Sequence, residues 1–188
     1  MTADEVNKHL QNAEKDMKDS LEHLRGELLH VRTGKASPSM VDNVMVSYYG
    51  SMTPLNQVAN VGTTDARTLT IQPWEKTMIE PIEKAIFEAN IGLTPQNDGE
   101  LIRINVPPLT QERRKEMVKR IKSMGEDAKV SIRSARHKAM DHVKKAVKEG
   151  FPEDNGKRKE EEIQNMTDKH IKDVDKIVEA KEKDIMTV

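Results

Sequence analysis

The chain has 188 residues, of which 35% are hydrophobic, 34% charged and only 3% aromatic, and its formal net charge is −1. That composition is lean for a compact globule and usual for long amphipathic helices, and the length allows one large domain or two small ones. The lack of cysteine excludes disulfides and thiolate metal sites, and no apolar run approaches the roughly 20 residues that a membrane span needs.

The N-terminal MTADEVNKHL is acidic and periodic, unlike a signal peptide or an Arg-rich transit peptide, so a cytoplasmic chain is expected. From Asp4 to about Val31, apolar residues recur at Val6, Leu10, Ala13, Met17, Leu21, Leu24, Leu28 and Val31. Steps of three and four predict an amphipathic helix, with Thr2 or Asp4 as its cap. The pattern stops at RTGKASPS, Arg32 to Ser39, where Gly34 and Pro38 break the period.

The texture then changes. Alternation at Val44, Val46 and Tyr48, at Leu69 and Ile71, and at Ile102, Ile104 and Val106 predicts short strands buried on one face. Val58 to Asp65 is a weaker strand candidate. Thr77 to Asn90 carries Ile79, Ile82, Ile86 and Phe87 at helical spacing, with Pro81 near its start, where proline is tolerated. Seven of the eight prolines lie between Pro38 and Pro108. This segment reads as a small β/α/β domain over residues 32–106.

Pro107 and Pro108 close it, and Thr110 caps a long helix from Leu109 to Glu149. There Ile121, Met124, Ala128, Ile132, Ala135, Ala139, Val143 and Ala146 follow an eleven-residue repeat, which keeps one apolar seam nearly parallel to the helix axis. Its small residues imply closely packed partner helices. Gly150 to about Lys157 reads as a loop, and Ile163, Met166, His170, Val174, Ile177 and Ile185 mark a third helix from about Arg158 to Met186. None of the three helices can bury its stripe alone, so they form a bundle of residues 1–31 and 107–188 into which the small domain is inserted.

The long helix is also the most basic stretch, with thirteen Lys or Arg against six Asp or Glu between Leu109 and Glu149. Lys122, Lys129, Arg133, Arg136 and Lys144 fall on one flank of the seam. A one-sided basic stripe on a rigid helix neutralises several phosphates at once and releases their counterions; the plainer reading is a solvated helix face. No catalytic constellation accompanies it. His9, His23, His30, His137, His142 and His170 complete no HExxH-type motif, Gly34–Lys35 lacks the other residues of a phosphate loop, and no serine sits in a GxSxG elbow. No enzyme, metal site or cofactor is expected. Trp74, Tyr48 and Tyr49 are too few for a base-stacking sheet, although any of them suits a protein contact.

RTGKASP at Arg32 to Pro38, YYG at Tyr48 to Gly50, TPL at Thr53 to Leu55, RTL at Arg67 to Leu69, EKAI at Glu83 to Ile86, IGLTP at Ile91 to Pro95, IRINVPPLTQERRK at Ile102 to Lys115 and VSIRSARHKA at Val130 to Ala139 resemble, in this order, the ribosome recycling factor family. The resemblance implies an α+β fold, a long three-helix bundle with an inserted β/α/β domain, L-shaped and tRNA-like in outline. It also implies a monomer that splits the post-termination ribosome together with elongation factor G and GTP, freeing mRNA and tRNA. Its partners are then the large ribosomal subunit, through 23S-type rRNA, and elongation factor G, with no membrane. Carried over by motif, the rRNA-contacting arginines are Arg133 and Arg136; Lys129 and Lys122 join them by position on the stripe. Arg32, Thr33 and Gly34 with Pro107 and Pro108 match the hinge regions. Gln111 and His137 depart from the family pattern, which more often has Glu and Arg there. Two rivals, a general RNA-binding or RNA-chaperone module and a helical adaptor, account for the helices but not for the inserted domain.

Overall fold

In the computed structural model, which describes residues 1–187, Thr2 opens the first helix with a capping box. Its hydroxyl accepts from the Glu5 N–H at 3.3 Å and the Glu5 carboxylate accepts from the Thr2 N–H at 2.7 Å, so two donors that a helix start leaves bare are satisfied. The helix, α1, runs Ala3–Leu29, and every apolar residue of its predicted stripe is buried. The long helix, α3, runs Gln111–Lys148, roughly 57 Å at about 1.5 Å per residue. Its first turn is held by Thr110, whose hydroxyl accepts from the Arg113 N–H at 3.2 Å.

The last turn of α3 closes in a Schellman motif: Gly150, at φ +102°, donates to the Val147 carbonyl and Phe151 to that of Ala146. The final helix, α4, then runs Glu153–Met186, starting five residues before the expected Arg158. Gly156, read as a loop residue, lies inside α4 because the helices cross closely there: a Cβ on it would come within 2.6 Å of Val147 Cγ2. Gly125 does the same from α3, where a Cβ would meet Val178 Cγ2 at 2.7 Å. Val6, Leu10 and Ala13 of α1 pack with Ala139, Val143 and Ala146 of α3, Ile163 of α4 and Phe151. Along the remaining length Met17, Leu21, Leu24, Ile121, Ile132, Val174 and Ile185 are buried.

The middle segment builds an antiparallel hairpin and a four-stranded antiparallel sheet. Strands β1 (Met45–Tyr48) and β2 (Ser51–Pro54) are joined by Tyr49 and Gly50, at φ +46° and +83°, the two positive dihedrals that suit the twist of a tight hairpin. The sheet has the order β3-β4-β6-β5, with β3 Ala59–Asp65, β4 Thr68–Pro73, β5 Pro95–Asn97 and β6 Ile102–Asn105. Strands β2 and β5 are additions to the expected set. The helix α2 (Ile79–Glu88) supplies Ile79, Ile82, Ala85 and Ile86 to the core that Leu69, Ile71, Ile102 and Ile104 line from the sheet. Phe87, expected on the same face, is 58% exposed, because it falls about 1.4 turns beyond Ile82, more than a third of the way round the helix.

The chain divides into two compact units, residues 1–31 with the described residues from 115 onward, and residues 32–114. Residues 107–114, read from the sequence with the bundle, fall here with the middle segment. Leu109 accounts for this locally, since a Cβ on Gly34 (φ +77°) would sit 3.0 Å from its backbone nitrogen and 3.3 Å from its Cγ. Among the described residues no helix is long and apolar enough to cross a membrane.

Candidate nucleic-acid interface

The basic residues of α3 do not share one environment. Lys122, Lys129 and Arg136 are seven residues apart, close to two full turns, and all three lean toward α4. Lys122 Nζ lies 3.5 Å from Glu182 Oε1. Lys129 Nζ lies 2.6 Å from Asp175 Oδ1 and 3.4 Å from Glu126 Oε1, and its side chain is only 16% exposed. Arg136 Nη1 donates to Gln164 Oε1 at 3.4 Å, and Gln164 Nε2 in turn donates to Asp168 Oδ1 at 2.9 Å. The hydrogen bond to Asp175 holds the Lys129 ammonium above the ordinary lysine range, against the opposing effect of burial.

Arg133 is different. It is exposed, and its side chain makes no ion pair or hydrogen bond with another described residue. Three residues separate it from Arg136, which turns it roughly 60° away from the α4 side. Lys119, Lys144 and Lys148 are exposed on the same outer side of α3, and Val130, one turn before Arg133, is 61% exposed. Of the four residues expected to contact RNA, then, Arg133 presents a bare guanidinium, Lys122 a half-engaged ammonium, and Lys129 and Arg136 are committed to α4. His137 is exposed beside Asp141, with Nε2 3.5 Å from Oδ2.

The acidic partners on α4 are the residues that the sequence reading missed. Asp168, Asp175 and Glu182 recur every seven residues, as Lys122, Lys129 and Arg136 do. Folding the chain about Pro152 sets 122 opposite 182, 129 opposite 175 and 136 opposite 168. The matched spacing was a signal, but the register depends on where the turn lies, and the expected helix start at Arg158 put it elsewhere.

The segments expected to form the hinges run past the β3–β4 turn. The Ala36 N–H donates to the Ala66 carbonyl and the Val106 N–H to that of Arg67, both at 2.7 Å, so the chain entering the middle unit and the chain leaving it are tied to adjacent residues. Arg32 is exposed and reaches Gly92, where a Cβ would meet its Nη2 at 3.1 Å. The Thr33 hydroxyl accepts from the Lys35 N–H at 3.4 Å. Pro107 and Pro108 are exposed and precede α3, where their fixed φ and missing N–H block helix.

The remaining polar features are structural. His170 is buried and its Nδ1 donates to the Met166 carbonyl at 2.6 Å. His9 and His142 stack with ring centroids 3.7 Å apart. Tyr48 and Tyr49 both donate to the Glu75 carboxylate, at 3.0 and 2.9 Å, which fixes the hairpin tip. Among the described residues no group of three or more His, Asp and Glu side chains is arranged to hold a metal ion.

The family model described as ribosome recycling factor matches residues 24–186. The ribosome-recycling factor of Porphyromonas gingivalis is 50% identical over 185 residues, 98% of this chain and 100% of its own. That of Christiangramia forsetii is 52% identical over the same shares. The solution structure of a ribosome recycling factor matches with a TM-score of 0.83 at 38% identity, covering all of both chains. The T. thermophilus ribosome recycling factor, described with E. coli elongation factor G bound to the E. coli post-termination complex, matches with a TM-score of 0.68 at 41% identity, again over all of both chains.

Proposed function

The chain belongs to the ribosome recycling factor family, and from that premise we propose that it splits post-termination ribosomes into subunits together with elongation factor G and GTP, releasing mRNA and tRNA. The observation that carries this is the 50% identity to a ribosome-recycling factor across 98% of the chain, which takes in both of its compact units.

In this reading the bundle is the grip and the middle unit the handle. Arg133, with the exposed lysines on its side of α3, binds large-subunit rRNA, because an unpaired guanidinium takes a phosphate bidentately without first giving up a protein partner. Lys122 joins it only by giving up its 3.5 Å pair with Glu182, so Arg133 and the lysines beside it carry the contact. The paired backbone ties at Ala66 and Arg67 hold both linkers at one edge of the middle unit, so a push from the elongation factor on that unit is delivered to the bundle through two strands of chain. GTP hydrolysis belongs to the elongation factor; this chain is a monomeric cytoplasmic binding protein and not an enzyme.

Light scattering of purified post-termination ribosomes tests the proposal. A drop that requires this protein, elongation factor G and GTP together is the expected result. No drop, with a folded protein and the elongation factor of the same organism, sinks it and leaves an RNA-binding module.

A further inference from the structure

The three inward-leaning cations of α3 meet a ladder of acids on α4. Lys122 faces Glu182, Lys129 faces Asp175, and Arg136 reaches Asp168 through Gln164. Successive rungs are two helical turns apart, about 10.5 Å. The Lys122 and Lys129 rungs stand at the rim of a groove of about 450 Å³ between the helices, lined by Gly125, Val174 and Val178 and also by Glu126 and Glu179. The two carboxylates that close these rungs remain half in solvent, Asp175 at 52% and Glu182 at 35%.

The Lys122–Glu182 pair is largely exposed, and such pairs add little to stability, with a median of about 0–1 kcal/mol. Close packing at Gly125 and Gly156 already fixes how α3 and α4 meet. Their larger effect is on what an approaching polyanion encounters. A phosphate that takes Lys129 must displace Asp175 and then sit beside an unpaired carboxylate, so much of the gain from counterion release is cancelled. At Arg133 nothing has to be displaced.

We propose that Asp175 and Glu182 act as an electrostatic filter: by occupying Lys129 and Lys122 they suppress binding to RNA in general and leave recognition to the outer side of α3 around Arg133. Selectivity is gained by removing non-specific charge, the route that specificity takes when repulsion of wrong partners is easier to build than extra attraction to the right one. This rests on the reading of α3 as the rRNA-binding helix. The acids are specificity-determining residues that need not touch RNA.

The test compares the wild-type chain with the Asp175→Asn, Glu182→Gln double variant, whose replacements are nearly isosteric. Binding is measured to a generic RNA duplex unrelated to ribosomal RNA and to washed large subunits over a range of salt, and circular dichroism melting confirms the fold. The variant is expected to bind the duplex several-fold more tightly, with a log–log salt slope steeper by about 0.9 for each lysine released, and to lose part of its preference for the large subunit. In a Lys122→Gln, Lys129→Gln background the same acid substitutions are expected to lose most of that gain. An unchanged duplex affinity and slope overturns the filter, and so does an equal gain in both backgrounds, which would mean general repulsion by α4. Failure of the wild-type chain to bind large subunits at all would instead overturn the rRNA reading and with it the selectivity claimed here, whatever the duplex slopes show.

Discussion

Arg133 and Arg136 stand three residues apart in one motif, yet they answer to different demands. Arg133→Ala removes a side chain with no described partner, so stability is expected to stay within about 0.5 kcal/mol while large-subunit binding weakens by roughly 1.5–3 kcal/mol, the range for a hydrogen bond to a charged group. Arg136→Ala breaks the bond to Gln164 and is expected to lower stability by about 1 kcal/mol with a smaller effect on binding. Equilibrium denaturation and a subunit-binding titration of the two variants separate these outcomes, and a larger binding loss for Arg136→Ala would reverse the assignment. His9 makes a second residue-scale prediction. Burial and the adjacent His142 hold its imidazole below the ordinary histidine value, only partly opposed by Glu5. A histidine with a lowered folded pKa binds its proton more readily in the unfolded chain, so its stabilising contribution is full above about pH 6.5 and is lost as the pH falls toward the folded value. The thermal midpoint of the wild-type chain is expected to drop between pH 7.5 and 5 by more than that of His9→Gln, each measured by circular dichroism melting. Parallel curves would show that the stacked pair does not titrate against folding.

At the scale of the element, α3 and α4 carry glycines in mid-helix, where glycine costs about 1 kcal/mol relative to alanine. Packing is the reason they are there: Gly125 lies against Val178 and Gly156 against Val147, too close for a Cβ. Gly125→Ala gains propensity but forces α4 outward, and overpacking of this kind costs about 1–3 kcal/mol, so a net loss of up to about 2 kcal/mol in unfolding free energy is expected. Gly26 in α1 is the internal control, since nothing lies within 4 Å of a Cβ there; Gly26→Ala is expected to stabilise the chain by about 0.5–1 kcal/mol. If both substitutions stabilise, the α3–α4 contact is looser than described. The periodic stripes of the helices were readable residue by residue because each long element repeats its signal over many turns. Strands β2 and β5 were not, because neither alternates buried with exposed residues as β6, of the same length as β2, does. A Tyr49–Gly50 turn also lacks the Asn-Gly signature by which hairpins are recognised.

For the molecule as a whole, the two units are joined by chain that is pinned to the middle unit at Ala66 and Arg67. Lengthening either expected hinge, at Arg32–Gly34 or at Pro107–Pro108, is expected to leave large-subunit binding unchanged while slowing elongation-factor-dependent splitting several-fold, as read by light scattering. Normal splitting with both hinges lengthened would count against transmission of force through them. The sequence by itself determined the three long helices, their buried stripes, the existence of an inserted strand-rich segment and the family, because helical periodicity and a run of ordered motifs are properties of the chain read locally. Only the tertiary structure decided which cations on α3 are free. That depends on the antiparallel register of α3 and α4, set by the Gly150–Pro152 turn and by two glycine contacts, and a register error of a few residues would exchange the paired and the unpaired charges.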